Sequence, residues 1–299
     1  MIVPPPALAG STIGVAAPGG AVNAEALERG VACLEALGFR VCVADHVLER
    51  RRYFAGTPEM RLADLVRLLR DPDVAAVVCA RGGYGTSQIL PLLDPEIVAA
   101  HPKLIVGYSD VSPLLGWVVE RCGVVALHGP MVATDLAKGL TDHAATRLRT
   151  LLASPTAPWR EPITAIVVKG VATGRLVGGC LSSLVALLGT PYAVDTDGAV
   201  LFLEDIAERP YRIERMLTHL RLAGKLDRVA AVVLGSFADC DGPGPDDAVG
   251  DVFREFFAGA GYPVVAGFPA GHLSENLPLT LGLPVRVDAD AGYVEALAA

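Results

Sequence analysis

Five short apolar runs in the first half of the chain, separated by amphipathic stretches, constrain its fold more than any other feature. They span residues 12–17, 40–44, 74–80, 104–108 and 124–127. The runs are largely continuous rather than alternating in polarity, so the strands they form are buried on both faces. Residues 23–37 and 57–69 show helical periodicity between them. Asn23 is the expected N-cap of the first helix, and Thr57-Pro58 opens the second, because proline fits the first helical position. Strands buried on both faces and alternating with helices predict a parallel sheet covered by helices.

The second half reads differently. Ser154-Pro155-Thr156-Ala157-Pro158 breaks the pattern and reads as an interdomain linker. The expected organisation is an α/β domain over 1–154, a linker over 155–163 and a smaller mixed α/β domain over 164–299. Strands are expected there at 163–169, 174–177, 200–203, 229–234 and 264–266, and helices at 181–188, 211–222 and near 249–257. A chain of 299 residues, 52% of them hydrophobic, has the length and the core material for two such domains.

Charge and cysteine usage narrow the function. Lys and Arg number 25 against 33 Asp and Glu, a formal net charge of −8. The basic residues, Arg50-Arg51-Arg52 among them, are scattered among acids. That balance argues against a nucleic-acid or membrane partner. No apolar run approaches the roughly 18 residues of a membrane span. None of the six cysteines forms a C-x-x-C pair, and most sit inside apolar runs, as expected of reduced thiols in the cytoplasm. The start, Met1-Ile2-Val3-Pro4-Pro5-Pro6, has no basic segment, so no signal peptide is expected.

In parallel α/β sheets functional groups collect past the carboxyl ends of strands. Gly107-Tyr108-Ser109-Asp110 ends one apolar run and precedes a helix-like run from Val111 to Glu120. A serine on such a turn serves either as an exposed nucleophile or as an N-cap. Val111 stands where a G-x-S-x-G pattern has its second glycine. Arg81-Gly82-Gly83-Tyr84-Gly85 follows another strand and offers outward backbone N–H groups, as an oxyanion hole does and as an ordinary glycine turn also does. His128 and His272 stand at strand ends, as do the adjacent carboxylates Glu204 and Asp205. A serine nucleophile needs a base and an orienting acid, and these are the candidates. No H-x-x-x-H or H-E-x-x-H spacing occurs, so neither a metal nor a cofactor is expected.

In order along the chain, Arg81 to Gly85, Gly107 to Asp110, His128-Gly129-Pro130, Gly178-Gly179, Leu203-Glu204-Asp205 with Glu208 and Tyr211-Arg212, and Gly271-His272 with Asn276 resemble the LD-carboxypeptidase family of serine peptidases. The resemblance runs from Ala16-Ala17-Pro18 to about Gly282. It implies an amidotransferase-like (flavodoxin-like) parallel-sheet domain plus a smaller swivelling β/β/α C-terminal domain, usually in a homodimer. It implies a catalytic triad of Ser109, His272 and Glu204 drawn from both domains. The backbone N–H groups of Asp110 and Gly83 would form the oxyanion hole. The implied substrate is murein tetrapeptide, which loses its terminal D-alanine during cytoplasmic cell-wall recycling. Arg81 is placed to meet the substrate carboxylate, or to fix the glycine turn. Two positions depart from the family pattern: Cys180 follows Gly179 where Asn is common, and Thr280 stands where Pro is usual.

Two rivals remain at this level. A branch resembling microcin-immunity peptidases uses the same triad on peptidyl or aminoacyl nucleotides. It carries extra length between the serine and the glutamate, with an aromatic that stacks on the base. In this chain that interval is compact, and its one tryptophan after Trp117 is Trp159. The other rival is a non-catalytic murein-peptide binder, which has no need of all three triad residues.

Overall fold

The computed structural model describes residues 1–244 and 248–297; the last two residues of the expected second domain lie outside the described residues. The chain divides into two compact units. The first comprises Met1–Thr156 with Ser274–Gly282, and the second Ala157–Leu273 with the chain from Leu283 onward.

Five parallel strands form the centre of the first unit: β1 (Thr12–Ala16), β2 (Arg40–Val43), β3 (Val74–Cys79), β4 (Leu104–Gly107) and β5 (Ala126–His128), in the order β2-β1-β3-β4-β5. Helices α1 (Ala24–Ala36), α2 (Pro58–Arg70), α3 (Pro95–Ala100), α4 (Ser112–Cys122) and α5 (Asp142–Ala153) lie between and after them. Their starts follow local chemistry. Asn23, Thr57 and Thr141 each accept a hydrogen bond from a first-turn backbone N–H of α1, α2 and α5. Ile13, Val15, Val77, Val78, Ile105 and Val106 are fully buried, as strands covered on both faces require.

The second unit is built on an eight-stranded mixed sheet. Its strands are β6 (Trp159–Pro162), β7 (Ala165–Val168), β8 (Val171–Cys180), β9 (Ala199–Ile206), β10 (Ala231–Ala238) and β11 (Val264–Ala266), followed later in the chain by two more. Strands β8, β9, β10 and β11 run parallel, with β7 antiparallel on the outside. Helices α6 (Leu181–Val185), α7 (Pro210–Leu222) and α8 (Val249–Phe256) belong to the same unit. Leu201, Leu203, Ile213, Leu217, Leu234 and Phe253 share its apolar core.

Three strands near the C-terminus were not expected. β12 (Leu279–Leu281) pairs antiparallel with β5 at the edge of the first sheet, with Leu279 opposite His128. β13 (Pro284–Asp288) and β14 (Tyr293–Ala296) close the second sheet, and β14 pairs with β6. The sequence reading ran the second domain unbroken from 164 and placed Trp159 in a linker. Here Ser274–Gly282 returns to the first unit, and Trp159 begins a strand. The reason is long-range pairing: three- to five-residue strands carry too little pattern of their own, and their partners lie far away in sequence.

Thr280 belongs to this returning strand. It is buried, and its hydroxyl donates to the Pro155 carbonyl at 2.8 Å. A proline there would lack both the hydroxyl and a strand N–H. Thr280→Val should leave the Pro155 carbonyl unpaired and lower stability by about 1–3 kcal/mol, measured by urea unfolding.

Candidate active site

Candidate residues from the sequence fall in both units. In the first, β4 ends at Gly107 and the chain turns sharply through Ser109 into α4. Ser109 has φ of 60°, a left-handed conformation that costs a non-glycine residue about 1–3 kcal/mol. Such a turn lifts the side chain away from the following helix.

The surroundings over-determine that conformation. A Cβ on Gly82 would lie 2.9 Å from Ser109 Cβ and 3.1 Å from both Ser109 Oγ and the Asp110 nitrogen. The glycine turn thus passes against the serine with no room for a side chain. The Asp110 carboxylate is turned away and accepts from the Thr86 N–H at 2.9 Å and the Thr86 hydroxyl at 2.8 Å. Burial pushes the Asp110 carboxyl up, opposed by its donors Thr86 and Gly85 and by the positive charge of Arg61. The Asp110 N–H lies in the first turn, where helical geometry leaves amides without an internal partner.

Arg61 of α2, which no sequence pattern singled out, is only 1% exposed. Its guanidinium donates to the Pro18 and Gly85 carbonyls at 2.6 and 2.8 Å and to Gln88 Oε1 at 2.6 Å. It also lies 5.1 Å from the centre of the Phe54 ring. Periodicity gives no signal for such a strut, because arginine on a helix is ordinarily solvated. Arg81 does related work: its Nη1 donates to the Ala21 carbonyl at 2.9 Å, while Gly20 N–H donates to the Gly82 carbonyl at 2.8 Å. Arg81 therefore fixes the loop beside the glycine turn.

In the second unit, Glu204 sits near the end of β9 with no solvent exposure. Its Oε2 accepts from His272 Nδ1 at 2.6 Å and from the His272 backbone N–H at 3.2 Å. A proton held on Nδ1 leaves the lone pair on Nε2, the form a general base needs. Burial pushes the Glu204 carboxyl above its ordinary range, and the contact with His272 pulls against it.

Local pattern leaves Glu204 and Asp205 equivalent, the family resemblance favours Glu204, and strand geometry puts the two on opposite sides. Consecutive strand residues point to opposite faces. Asp205 accepts from the Ser182 N–H at 2.8 Å and the Ile206 N–H at 2.9 Å, and so anchors the start of α6. His128 is separated from His272 equally clearly. It is fully buried in the first sheet, its ring 5.7 Å from that of Tyr108. Cys180 is buried and lies opposite Glu204 in the β8–β9 pairing, its thiol pushed up chiefly by burial and then by the two carboxylates. That is the opposite of an activated thiolate.

A Cβ on Gly271 would fall 2.7 Å from Glu204 Oε2, and its φ of 109° is strained for any side chain. Gly271→Ala should therefore displace the carboxylate from His272. The low-field Nδ1 proton resonance of the wild type is expected to disappear, and stability should drop by about 1–3 kcal/mol.

Comparison with known proteins identifies the family. Residues 13–129 match the family model described as LD-carboxypeptidase N-terminal domain, and residues 173–287 match LD-carboxypeptidase C-terminal domain. A probable murein peptide carboxypeptidase of Bacillus subtilis is 37% identical over 280 residues, covering 91% of this chain and 87% of the relative. The crystal structure of muramoyltetrapeptide carboxypeptidase from Oxalobacter formigenes is 31% identical with a TM-score of 0.87, covering 95% of this chain and 97% of that one. The structure of MccF in complex with glutamyl sulfamoyl guanosine has a TM-score of 0.93 at 24% identity, covering 99% and 98% of the two chains; it shares the fold.

Proposed function

Because the chain belongs to the LD-carboxypeptidase family, we propose that it is a serine peptidase that hydrolyses an L,D-peptide bond and releases the terminal D-alanine of murein tetrapeptide. The observation that carries this reading is the 2.6 Å hydrogen bond between Glu204 and His272, a buried acid holding a base in the tautomer that nucleophilic catalysis requires.

In the proposed reaction Ser109 Oγ attacks the scissile carbonyl as His272 Nε2 takes its proton. Glu204 stabilises the imidazolium. The oxyanion is met by the backbone N–H groups of Asp110 and Gly83. His272 then gives its proton to the leaving amine, D-alanine departs, and an ester to Ser109 remains. Water attacks the ester with His272 again as base, releasing the tripeptide acid and restoring Ser109. The reading requires groups of both units to act on one carbonyl. The strained turn at Ser109 and the packing of Gly82 against it support the assignment of the nucleophile.

A nucleotide substrate of the microcin-immunity kind would need an aromatic face for its base. Trp159, the candidate by sequence, is 9% exposed and packs against Phe268 with ring centres 5.8 Å apart, so this residue offers no open face to such a base. All six cysteines are free thiols, which supports a reducing compartment such as the cytoplasm.

Mass spectrometry of the protein with murein tetrapeptide tests the proposal. Loss of one alanine by the wild type, and its absence with Ser109→Ala and His272→Ala, is the expected outcome. No cleavage by the wild type would overturn it. Glu204→Gln should retain the fold and lose kcat by a factor on the order of 10⁴, as when a triad loses the charge that fixes its histidine. Protonation of the Glu204–His272 pair removes the general base, so kcat/KM should fall toward acid pH through an apparent value that belongs to the pair, read from a pH–rate profile.

A further inference from the structure

Alongside the glycine turn, the first unit contains a cleft of about 640 Å³ whose lining includes Arg50, Arg81, Tyr53, Tyr84 and Gly83. Its volume lies within the range of small-ligand sites, roughly 300–1,000 Å³. Among the described residues two arginines and no carboxylate line it, in a chain that carries a net charge of −8. Local potential in a cleft follows the groups that line it, so this one is attractive to anions.

The walls are built rather than incidental. Arg51 and Phe54 exchange backbone hydrogen bonds at 3.0 and 3.1 Å, closing a tight turn around Arg52, whose φ is 58°. That turn is tied to the neighbouring loop by Ala21 N–H to the Tyr53 carbonyl at 2.8 Å and Ala55 N–H to the Gly19 carbonyl at 3.1 Å. Tyr53 and Tyr84 are 55% and 52% exposed with ring centres 6.1 Å apart, backed by Phe54 at 4.3 and 5.7 Å. Such exposed rings offer an apolar platform. The two arginines differ in availability. Arg81 is engaged with the Ala21 carbonyl, whereas Arg50 has no hydrogen bond or ion pair among the described residues. The cleft also adjoins the nucleophile, because Gly83 follows the glycine that touches Ser109.

We propose that this cleft is a subsite for the free terminal carboxylate of the substrate peptide. Arg50 is its anchor, and the apolar part of the terminal residue rests on Tyr53 and Tyr84. A carboxypeptidase must distinguish a chain end from a chain interior, and a cationic fork beside the nucleophile does so by pairing with the carboxylate that only the end possesses. The inference deepens the reading of Ser109 as nucleophile and rests on it.

The test compares murein tetrapeptide as free acid with the same peptide amidated at its terminal carboxyl, using wild type, Arg50→Gln and Arg50→Lys. With the free acid, Arg50→Gln should raise KM about 10- to 100-fold and change kcat little, as for loss of one charge-assisted contact made equally in ground and transition states. Arg50→Lys should recover part of the loss. With the amide, wild type and Arg50→Gln should be equally poor. An unchanged KM for the acid would overturn the inference. So would an equal loss on acid and amide, which would place Arg50 on another carboxylate of the peptide. Calorimetric binding of both peptides to Ser109→Ala protein, with and without Arg50→Gln, reads the subsite without turnover. A protein that hydrolyses neither peptide yet binds the acid through Arg50 would refute the catalytic reading and keep the subsite. A protein that hydrolyses the acid independently of Arg50 would do the reverse.

Discussion

The 2.6 Å contact between Glu204 and His272 is the constraint around which the second unit is arranged. A carboxylate without solvent exposure is costly unless donors satisfy it. Glu204 meets that need at Oε2, with the ring and the backbone N–H of one histidine, while Oε1 has no hydrogen-bond partner among the described residues. For both donors to reach it, the loop after β11 must pass hard against the strand. That close passage is why position 271 has no room for a Cβ. The alternation of β9 then sends Asp205 to the other face, where it holds the start of α6. One strand end thus supplies an orienting acid to one side and a structural anchor to the other.

The first unit stores its constraint differently. A left-handed serine is unfavourable alone and persists when its surroundings leave no alternative. The Asp110 carboxylate locks onto Thr86, the glycine turn packs against Ser109, and buried Arg61 ties the carbonyls of Pro18 and Gly85 together. Each of these contacts joins segments that are distant in sequence and adjacent at the carboxyl ends of parallel strands. Rigidity there would serve the proposed reaction, because amide donors fixed beforehand need no reorganisation when charge develops. The same lacing shapes the walls of the cationic cleft, so the turn that would receive an oxyanion and the wall that would receive a carboxylate share one scaffold.

How much of this was legible along the chain depended on the range of the interactions involved. The strands and helices of the first sheet were readable because hydrophobic period, proline placement and capping residues are local properties. Asn23 and Thr57 cap the helices they were expected to cap. The strand-end positions of Ser109, Glu204 and His272 were readable as well, as was their resemblance to an ordered family pattern. Arg61 was not, since nothing local distinguishes a buried arginine from a solvated one on the same helix. The return of residues 274–282 to the first sheet was also hidden, because a three-residue strand has no periodicity to read.

The sequence by itself determined the element types, the α/β class and the short set of residues able to do chemistry. The ordered family pattern already favoured Glu204 and His272. Only the tertiary structure supplied the contact between them, across 68 residues of chain and on the side of β9 that Asp205 does not occupy. It turned Arg81 toward a loop carbonyl and left Arg50 open to the cleft. The physical reason is that backbone preference and hydrophobic period act over a few residues. Hydrogen-bond satisfaction of a buried charge acts through space, and its partners exist only once the strands have found their neighbours.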